Sequence, residues 1–378
     1  MPGLEPLETF ATVVGRGITP RYATDGDFTV FNQKCVRDGG VNSAAARRHD
    51  STTRPVPVNK RLSSGDCLVN STGQGTLGRT GYVRGLEGDA TVDSHLTIVR
   101  PHPTTDSRWL AYALRMLEPT IEDLAIGSTG QTELPRDALA SLPIPSVSRA
   151  EQQAIAEVLG ALDDKIAANT SVAGTLGNLA EALVASVKTE VVALGEVAEF
   201  HNRRRVPLSA NERAERPGAV PYYGANGQMA TVDEPIFNEP LTLMGEDGSV
   251  VREDGTPYVT YVWGPSWVNN HAHVLVGKGI STELLALALK SARVDTLVTG
   301  AVQPKLSMGN ARRIELRLPV SSHVDELDAQ VRAIYESLRA SSEENRTLAA
   351  TRDALLPQLM SGTLRVRDAE HLISQAGA

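Results

Sequence analysis

Two apolar series with helical spacing, each roughly 40 residues long, constrain this chain more than any other feature. In the first, from 148 to 187, apolar residues recur every three or four positions, and Ser148 stands three residues before Glu151 as in a capping box. The second follows Ser322 and Asp325 and continues to Leu359. A helix of about 40 residues is about 60 Å long, more than an ordinary globular domain needs. Two such stripes in one chain predict a coiled coil.

The predicted seam of this coiled coil consists of apolar residues separated by three, four or multiples of these steps. Its members are Ile155, Leu159, Leu162, Ile166, Leu179 and Leu183 on the first helix, and Val331, Ile334, Leu338, Leu348 and Leu355 on the second.

The sequence also repeats itself with an offset near 175 residues. Pro143 and Pro319 differ by 176, as do His95 and His271, while Leu68 and Leu243 differ by 175. This period is longer than that of a solenoid repeat, so we predict a duplicated unit of one globular domain and one long helix. A pseudo-twofold axis between such halves reverses one helix relative to the other. We therefore expect an antiparallel helix pair.

Each half mixes strand-like segments with a short apolar helix, predicted from Trp109 to Leu117 in the first half and from Glu283 to Ser291 in the second. The predicted fold class is α+β, with two similar α/β globular domains, each followed by a long helix. The predicted boundaries are 1–145 for the first domain, 146–190 for the central helix, 191–320 for the second domain, and 321–378 for the distal helix with a C-terminal tail.

The number of cysteines and the length of the apolar stretches indicate where in the cell this protein works. Cys35 and Cys67 are too few for a disulfide framework or a cysteine-based zinc site, which suits a reducing cytosol. No stretch approaches the 18 or so apolar residues of a membrane span. We therefore expect a cytoplasmic protein without a membrane partner.

The formal charge of −8 is distributed unevenly. The segments 146–190 and 321–378 carry −3 each, whereas 1–145 and 191–320 carry only −1 each. Within the domains lie basic clusters at Arg47-Arg48, at 203–205 and at Arg312-Arg313. These clusters fit local phosphate-facing patches, and equally well solvated surface arginines.

The candidate catalytic and metal-binding motifs in the sequence are incomplete or missing. The segment 73–78, GQGTLG, matches the dinucleotide fingerprint literally, but a helix must follow that fingerprint, and RTGYVRG follows here. A Gly-rich loop between strands is better suited to presenting backbone N–H groups to phosphates or base edges. His271 and His273 share a strand face but lack a third ligand, so we favour a structural role and predict no metal. A P-loop and a serine nucleophile elbow are both missing from the sequence.

Several longer segments together resemble specificity (S) subunits of type I restriction-modification enzymes. They are GRGITPRY (15–22), NQKCVRDGGVN (32–42), ARRHD (46–50), GDCLVNSTGQGTLGR (65–79), LPIPSVSRAEQQAIAEVLGALDDKI (142–166), VPYYGANGQ (220–228), LMGEDGS (243–249) and RDALLPQLMSG (352–362).

This resemblance implies a non-catalytic reader of double-stranded DNA in a prokaryotic cytoplasm. In the family each globular domain reads one part of a bipartite, asymmetric sequence, and the paired helices act as a spacer on which two methyltransferase (modification) subunits dock. Restriction and motor subunits then join. S-adenosylmethionine, ATP and magnesium belong to those partners, so no cofactor is expected in this chain.

Residue type and loop position select the candidate DNA-binding residues, because Asn and Gln pair bidentately with adenine, and Arg and Lys with guanine. The candidates for base contacts are Asn70, Thr72, Gln74, Arg79 and Gln131 in the first domain, and Tyr222, Tyr223, Asn226, Gln303 and Lys305 in the second. The candidates for phosphate contacts are Arg47, Arg48, Arg203, Arg204 and Arg205.

Three alternatives stay open at this point. A stand-alone DNA-binding adaptor of another defence or methylation system could use the same scaffold without a methyltransferase partner. A single-chain enzyme is disfavoured by the missing motifs. A pure assembly protein would show no sequence preference for DNA.

Overall fold

The computed structural model describes residues 2–127, 132–300, 302–369 and 371. The chain divides into two compact units: a first unit of residues 1–167 with 344–378, and a second unit of residues 168–343. Each unit thus contains one globular region together with parts of both long helices.

The first globular region is α+β, as predicted. Its strands are β1 Gly3–Pro6, β2 Ala11–Arg16, β3 Phe28–Phe31, β4 Val36–Arg37, β5 Gly39–Val41, β6 Arg47–His49, β7 Cys67–Asn70, β8 Thr80–Tyr82, β9 Ala90–Val92, β10 Leu96–Pro101 and β11 Pro143–Ser146. The helices are α1 Leu7–Phe10, α2 Ser107–Met116, α3 Glu118–Asp123 and α4 Arg136–Ala140, followed by the long helix α5 Arg149–Ser186.

Alternation along the strands explains the two-sided core of this region. In the described residues the central sheet has the order β2-β10-β7-β8-β5-β4, with smaller sheets β6-β3-β9 and β1-β11. Cys67 and Val69 face α2 and the start of α5, whereas Leu68 between them joins a second apolar cluster. Helix α2 begins two residues before the predicted helix, because the Asp106 side chain accepts the backbone N–H groups of Arg108 and Trp109.

The second globular region repeats this design. Its strands are β12 Thr189–Ala193, β13 Ala198–Phe200, β14 Val220–Gly224, β15 Gly227–Val232, β16 Phe237–Asn238, β17 Leu241–Gly245, β18 Val259–Val262, β19 Pro265–Val268, β20 Ala272–Gly277 and β21 Glu315–Pro319. The helices are α6 Leu194–Val197, α7 Ala210–Ala214, α8 Thr282–Lys290 and α9 Met308–Ala311, followed by the long helix α10 Ser321–Met360.

The strand order confirms the duplication. The sheet β13-β20-β17-β18 matches β2-β10-β7-β8, and the pair β12-β21 matches β1-β11. Even the register is preserved, since Leu68 stands opposite Ile98 and Leu243 opposite Val274, at offsets of 175 and 176 residues. The parallel pair of β3 with β9 recurs as β14 with β19.

The two long helices pair antiparallel, as predicted. In the first unit Ile155, Leu159 and Leu162 near the start of α5 share a core with Leu348 and Leu355 near the end of α10. In the second unit residues near the end of α5 pack with the start of α10. The core there contains Val331 and Ile334, and Leu183 and Leu338 are partly buried against it. Ile166 is partly buried against the first core.

The predicted seam is wrong at Leu179. Its side chain is 46% exposed, while the neighbouring Ala180 is fully buried in the core of the second unit. Both residues fit a step of three or four from Leu176, but consecutive residues lie about 100° apart around a helix. Only one of them can face the core, and spacing alone does not select which.

No helix in the described part of the chain is long and apolar enough to cross a membrane.

Candidate nucleic-acid interface

The predicted phosphate-binding arginines of the first domain differ in their contacts. Arg47 is exposed on β6, and its guanidinium carbon lies 3.4 Å from the centre of the Tyr22 ring, so a cation and an aromatic face are presented together. Arg48 instead donates to the backbone oxygen of Gly26 (2.8 Å) and to Thr29 Oγ1 (2.9 Å). Arg47 is therefore the better candidate for a phosphate contact, and Arg48 fixes the surrounding loop.

The three consecutive arginines of the second domain also differ in their contacts. Arg203 is exposed and makes no ion pair with any other residue that the structure describes. Arg204 pairs with Glu239 and lies 4.3 Å from the centre of the Phe237 ring.

The predicted phosphate contact of Arg205 is corrected. Arg205 donates to Glu246 and to the backbone oxygen of Ala272, both at 2.6 Å, and its side chain is only 13% exposed. A phosphate contact would require breaking a largely buried ion pair, which is costly. We therefore assign Arg205 to holding the fold.

The Gly-rich loop, residues 71–79, connects β7 to the strand β8, which excludes the dinucleotide fingerprint as the sequence indicated. The backbone at Gly73 favours glycine, because its φ of +103° is a conformation that residues with a side chain rarely adopt. Gln74 is exposed on this loop, and half-buried Arg79 donates to the backbone oxygen of Gly75 (2.9 Å).

Two predicted base-contacting residues are buried and are corrected. Asn70 is 0% exposed, and its amide donates to the backbone oxygen of Gln33 (3.1 Å). Tyr222 is also 0% exposed, and its hydroxyl accepts the N–H of Leu208 (3.0 Å). Side chains without access to solvent cannot meet a base edge, so both are assigned to stabilising the domains.

The remaining candidates lie at or near the surface. Asn226 is exposed at the tip of the β14–β15 hairpin, while Tyr223 is half-buried in an apolar cluster. Gln303 is exposed and donates to Asp247 Oδ1 at 2.6 Å, and Lys305 is exposed two residues later. Gln131 lies outside the described residues.

Equivalent loops come together at the ends of β7 and β17. We define the first polar tip as Ser71, Thr72, His95 and Glu133, and the second polar tip as Glu246, Asp247, His271 and Lys305. The N–H of Ser71 donates to the His95 oxygen (2.9 Å), and the N–H of Glu246 to the His271 oxygen (2.8 Å). Isolated bridges join Thr72 to Glu133 and Asp247 to Lys305.

Side-chain chemistry differs between these tips. In the first, Thr72 Oγ1 is hydrogen-bonded to His95 Nδ1 (2.7 Å), and Arg16 binds Glu133 (2.8 Å). In the second, Asp247 Oδ2 stands 3.8 Å from His271 Nδ1.

Arg16, His95, Glu133, Asp247 and His271 were missed as candidate site residues. The available signal was the offset of 175 to 176 residues, which relates Thr72 to Asp247 and His95 to His271.

A buried layer supports the second tip. His273 is fully buried, and its Nε2 lies 2.8 Å from the backbone oxygen of Leu306, which can only accept. Asn202 Oδ1 accepts the N–H of Val274, so the Asn202 amide group donates to His273 Nδ1 (2.8 Å). Both contacts fit a neutral imidazole. Burial lowers the pKa of His273. Smaller opposing effects come from the hydrogen bond to the Leu306 oxygen and from Glu246, whose carboxylate lies 3.4 Å away.

We expect the second unit to lose stability as pH falls below about 6.5, the ordinary pKa of histidine. The lowered pKa of His273 means that the unfolded chain binds a proton before the folded chain does, so protons favour unfolding. Urea unfolding between pH 7 and 5 should show a smaller pH dependence in His273→Gln than in the wild type, whatever the variant's absolute stability. Glu246, Arg205 and Lys305 face the ring and remain in both proteins.

His271→Gln is the matched control, because this ring is 45% exposed. This variant retains His273, so its stability should depend more strongly on pH than that of His273→Gln. An unchanged pH dependence in His273→Gln would show that this imidazole does not link protons to folding.

In the described residues no group of three or more His, Cys, Asp or Glu side chains is arranged to hold a metal ion.

Comparison with known proteins decides the family. The family model described as the type I restriction modification DNA specificity domain matches residues 58–173 and again residues 186–343, which is more than half of the chain. The chain belongs to the type I restriction-modification specificity family. Each of the two matches contains all four residues of one polar tip, so the specificity domains of this family member include both sets of loops.

This specificity protein is similar to a curated protein and to a solved structure. A curated protein from Haemophilus influenzae, named a putative type I restriction enzyme specificity subunit, is 28% identical over 165 residues, 43% of this chain. The match spans about two fifths (41%) of that relative's length. The crystal structure of a type I restriction-modification system S subunit from M. genitalium covers 94% of this chain and 95% of its own, with a TM-score of 0.58 and 21% identity. That likeness shows a shared fold.

Proposed function

We propose that this chain is the non-catalytic DNA-recognition subunit of a type I restriction-modification complex. In this proposal each globular domain reads one part of a bipartite target, and methyltransferase and restriction subunits dock on the chain. S-adenosylmethionine, ATP and magnesium would bind those partners.

One observation carries this proposal: two domains share strand order, register and tip backbone, but present different side chains. Thr72 and Asp247 occupy equivalent positions, as do Glu133 and Lys305. Two equal scaffolds with unequal polar surfaces suit the reading of two different half-sites, and thus an asymmetric target.

The long helices support a spacer role. Helix α5 has 38 residues, which corresponds to about 57 Å at 1.5 Å per residue. The segments that contain the two helices carry most of the acidic excess, −3 each. Such surfaces repel DNA phosphates, so they favour docking of protein subunits.

Genome-wide mapping of DNA methylation in the host, with and without this gene, tests the function. We expect a bipartite, asymmetric methylated motif that disappears on deletion and returns with the wild-type gene. An unchanged methylation pattern, together with specific DNA binding by a chain that does not co-purify with a methyltransferase, would instead support the stand-alone adaptor.

We further expect weak DNA binding by the isolated chain, because the nearly neutral domains offer few free cations. Binding through these cations should weaken as the salt concentration rises. Each neutralised phosphate contributes about −0.9 to the slope of log affinity against log salt. Arg47→Gln and Arg203→Gln should each make the slope shallower by about one, measured by fluorescence anisotropy from 50 to 200 mM salt.

Arg367→Gln is the control for this measurement, because it removes the same charge from an exposed position outside both segments that match the specificity domain. Its slope should equal that of the wild type. Adding methyltransferase subunits should steepen every slope. If the slope is equally steep with and without these subunits, the proposed division of phosphate contacts is wrong.

A further inference from the structure

We propose that the polar tips contain base-reading side chains: Asp247 accepts a hydrogen bond from the exocyclic amino group of a cytosine in the second half-site, and Thr72 with His95 occupies the equivalent position toward the first half-site. This inference rests on the proposed function and names the residues and base chemistry through which it acts.

The two polar tips have equivalent backbone hydrogen bonds. The N–H of Leu134 donates to the Ser71 oxygen and that of Leu306 to the Glu246 oxygen, both at 2.9 Å. The N–H of His95 is held by Asp93 Oδ1 (2.9 Å), and that of His271 by Asn269 Oδ1 (2.8 Å). A duplicated reader needs such a constant frame, because the frame brings different side chains to the same place relative to the DNA.

Thr72 and Asp247, at equivalent positions of the two tips, differ in hydrogen-bonding chemistry. A threonine hydroxyl both donates and accepts, whereas an aspartate carboxylate only accepts. Near DNA a carboxylate is repelled by phosphates, and cytosine N4 is the base donor for which Asp and Glu are suited. Asp247 would thus exclude bases that present only acceptors in the major groove.

Neighbouring side chains orient the carboxylate of Asp247. Gln303 donates to Asp247 Oδ1 (2.6 Å), and Oδ2 lies on the side of His271, at 3.8 Å from Nδ1. The Asp247 side chain is 22% exposed, so it is restricted but reachable. Exposed Lys305, which bridges to Asp247 through the backbone, places a compensating positive charge in the same tip.

Side-chain contacts with the neighbouring strand hold both tips in place, and specific base contacts need side chains that are held in place. Under the first tip the hydroxyls of Ser71 and Thr97 are hydrogen-bonded at 2.7 Å, and both residues are buried. Under the second, Glu246 binds Arg205 and approaches His273. Thr97 and His273, the buried partners in these two contacts, occupy equivalent strand positions opposite Val69 and Met244.

The test uses the full chain assembled with its methyltransferase subunits, and sequences the methylated products of a randomised DNA library. Asp247→Asn keeps the shape but adds a donor, and asparagine pairs bidentately with adenine. We expect the preference at one base pair of the second half-site to move from cytosine toward adenine by about 10- to 100-fold. The first half-site should stay unchanged.

Two further variants sharpen the result. Glu253→Gln removes one negative charge from an exposed position in the same domain and should leave both half-sites unchanged. Thr72→Val deletes the hydroxyl of the first tip and should change only the first half-site. It tests the equivalence independently if Asp247→Asn proves poorly folded.

The outcomes separate the two proposals. If the wild-type complex methylates a bipartite motif, and Asp247→Asn and Thr72→Val leave both half-sites unchanged, the tips do not read bases although the proposed function stands. A change in the opposite half-site overturns the assignment as well. Methylation without any sequence preference by the wild-type complex overturns the proposed function, and this inference with it.

Discussion

Leu162→Asp should destabilise the first unit by about 3–5 kcal/mol, because it removes a buried leucine and places a charge in the helix seam. Leu162 shares its core with Ile155, Leu159, Leu348 and Leu355. Hydrogen exchange, measured peptide by peptide, assigns the effect to one unit, and amides protected by unfolding of the first unit should exchange at least about 100-fold faster.

Leu179→Asp is the matched control, since the same substitution on the same helix affects a side chain that is 46% exposed. Exposed substitutions usually change stability by about 0.5 kcal/mol or less, so exchange should stay close to that of the wild type. Equal effects of the two variants would contradict the division of α5 into buried and exposed faces.

A fragment of residues 1–190 should form a dimer. It lacks the segment of α10 that covers Ile155, Leu159 and Leu162, and exposed apolar surface costs about 25 cal/mol per Å². The duplication shows what can replace that segment. At an offset of 176, Val172 and Leu179 of α5 correspond to Leu348 and Leu355 of α10.

These corresponding pairs differ sharply in the full chain. Val172 and Leu179 are 53% and 46% exposed, whereas Leu348 and Leu355 are 1% and 4% exposed. In a fragment dimer the second half of each α5 can take the place of α10 in the other copy. Closed association of identical chains has twofold symmetry, so the dimer would carry two copies of the first domain related by a dyad.

Sedimentation velocity checks the dimer, and methylation in the presence of methyltransferase subunits checks its consequence. The fragment should modify an inverted repeat of the first half-site, because symmetric dimers read palindromes. Leu179→Asp should make the fragment monomeric while leaving the full chain unaffected. A monomeric wild-type fragment, or modification that still includes the second half-site, would show that the halves are not equivalent.

The sequence by itself determined the positions of the two long helices and the duplication of the chain. Helical periodicity locates both ends of α5 and the end of α10 to within about two residues, and the offset of 176 pairs His95 with His271. These properties are readable because a repeating apolar pattern reports burial on one face of a helix without any knowledge of the partner. The motifs across the chain likewise indicated the family.

Only the tertiary structure decided which polar and apolar side chains reach solvent. Asn70 is buried against Gln33, which lies 37 residues away, and Tyr222 lies beside the parallel strand β19, more than 40 residues later. Ala180 faces the core in place of Leu179. Residue type states what a side chain can bind, but its exposure depends on segments distant in the chain, because burial is created when those segments pack together.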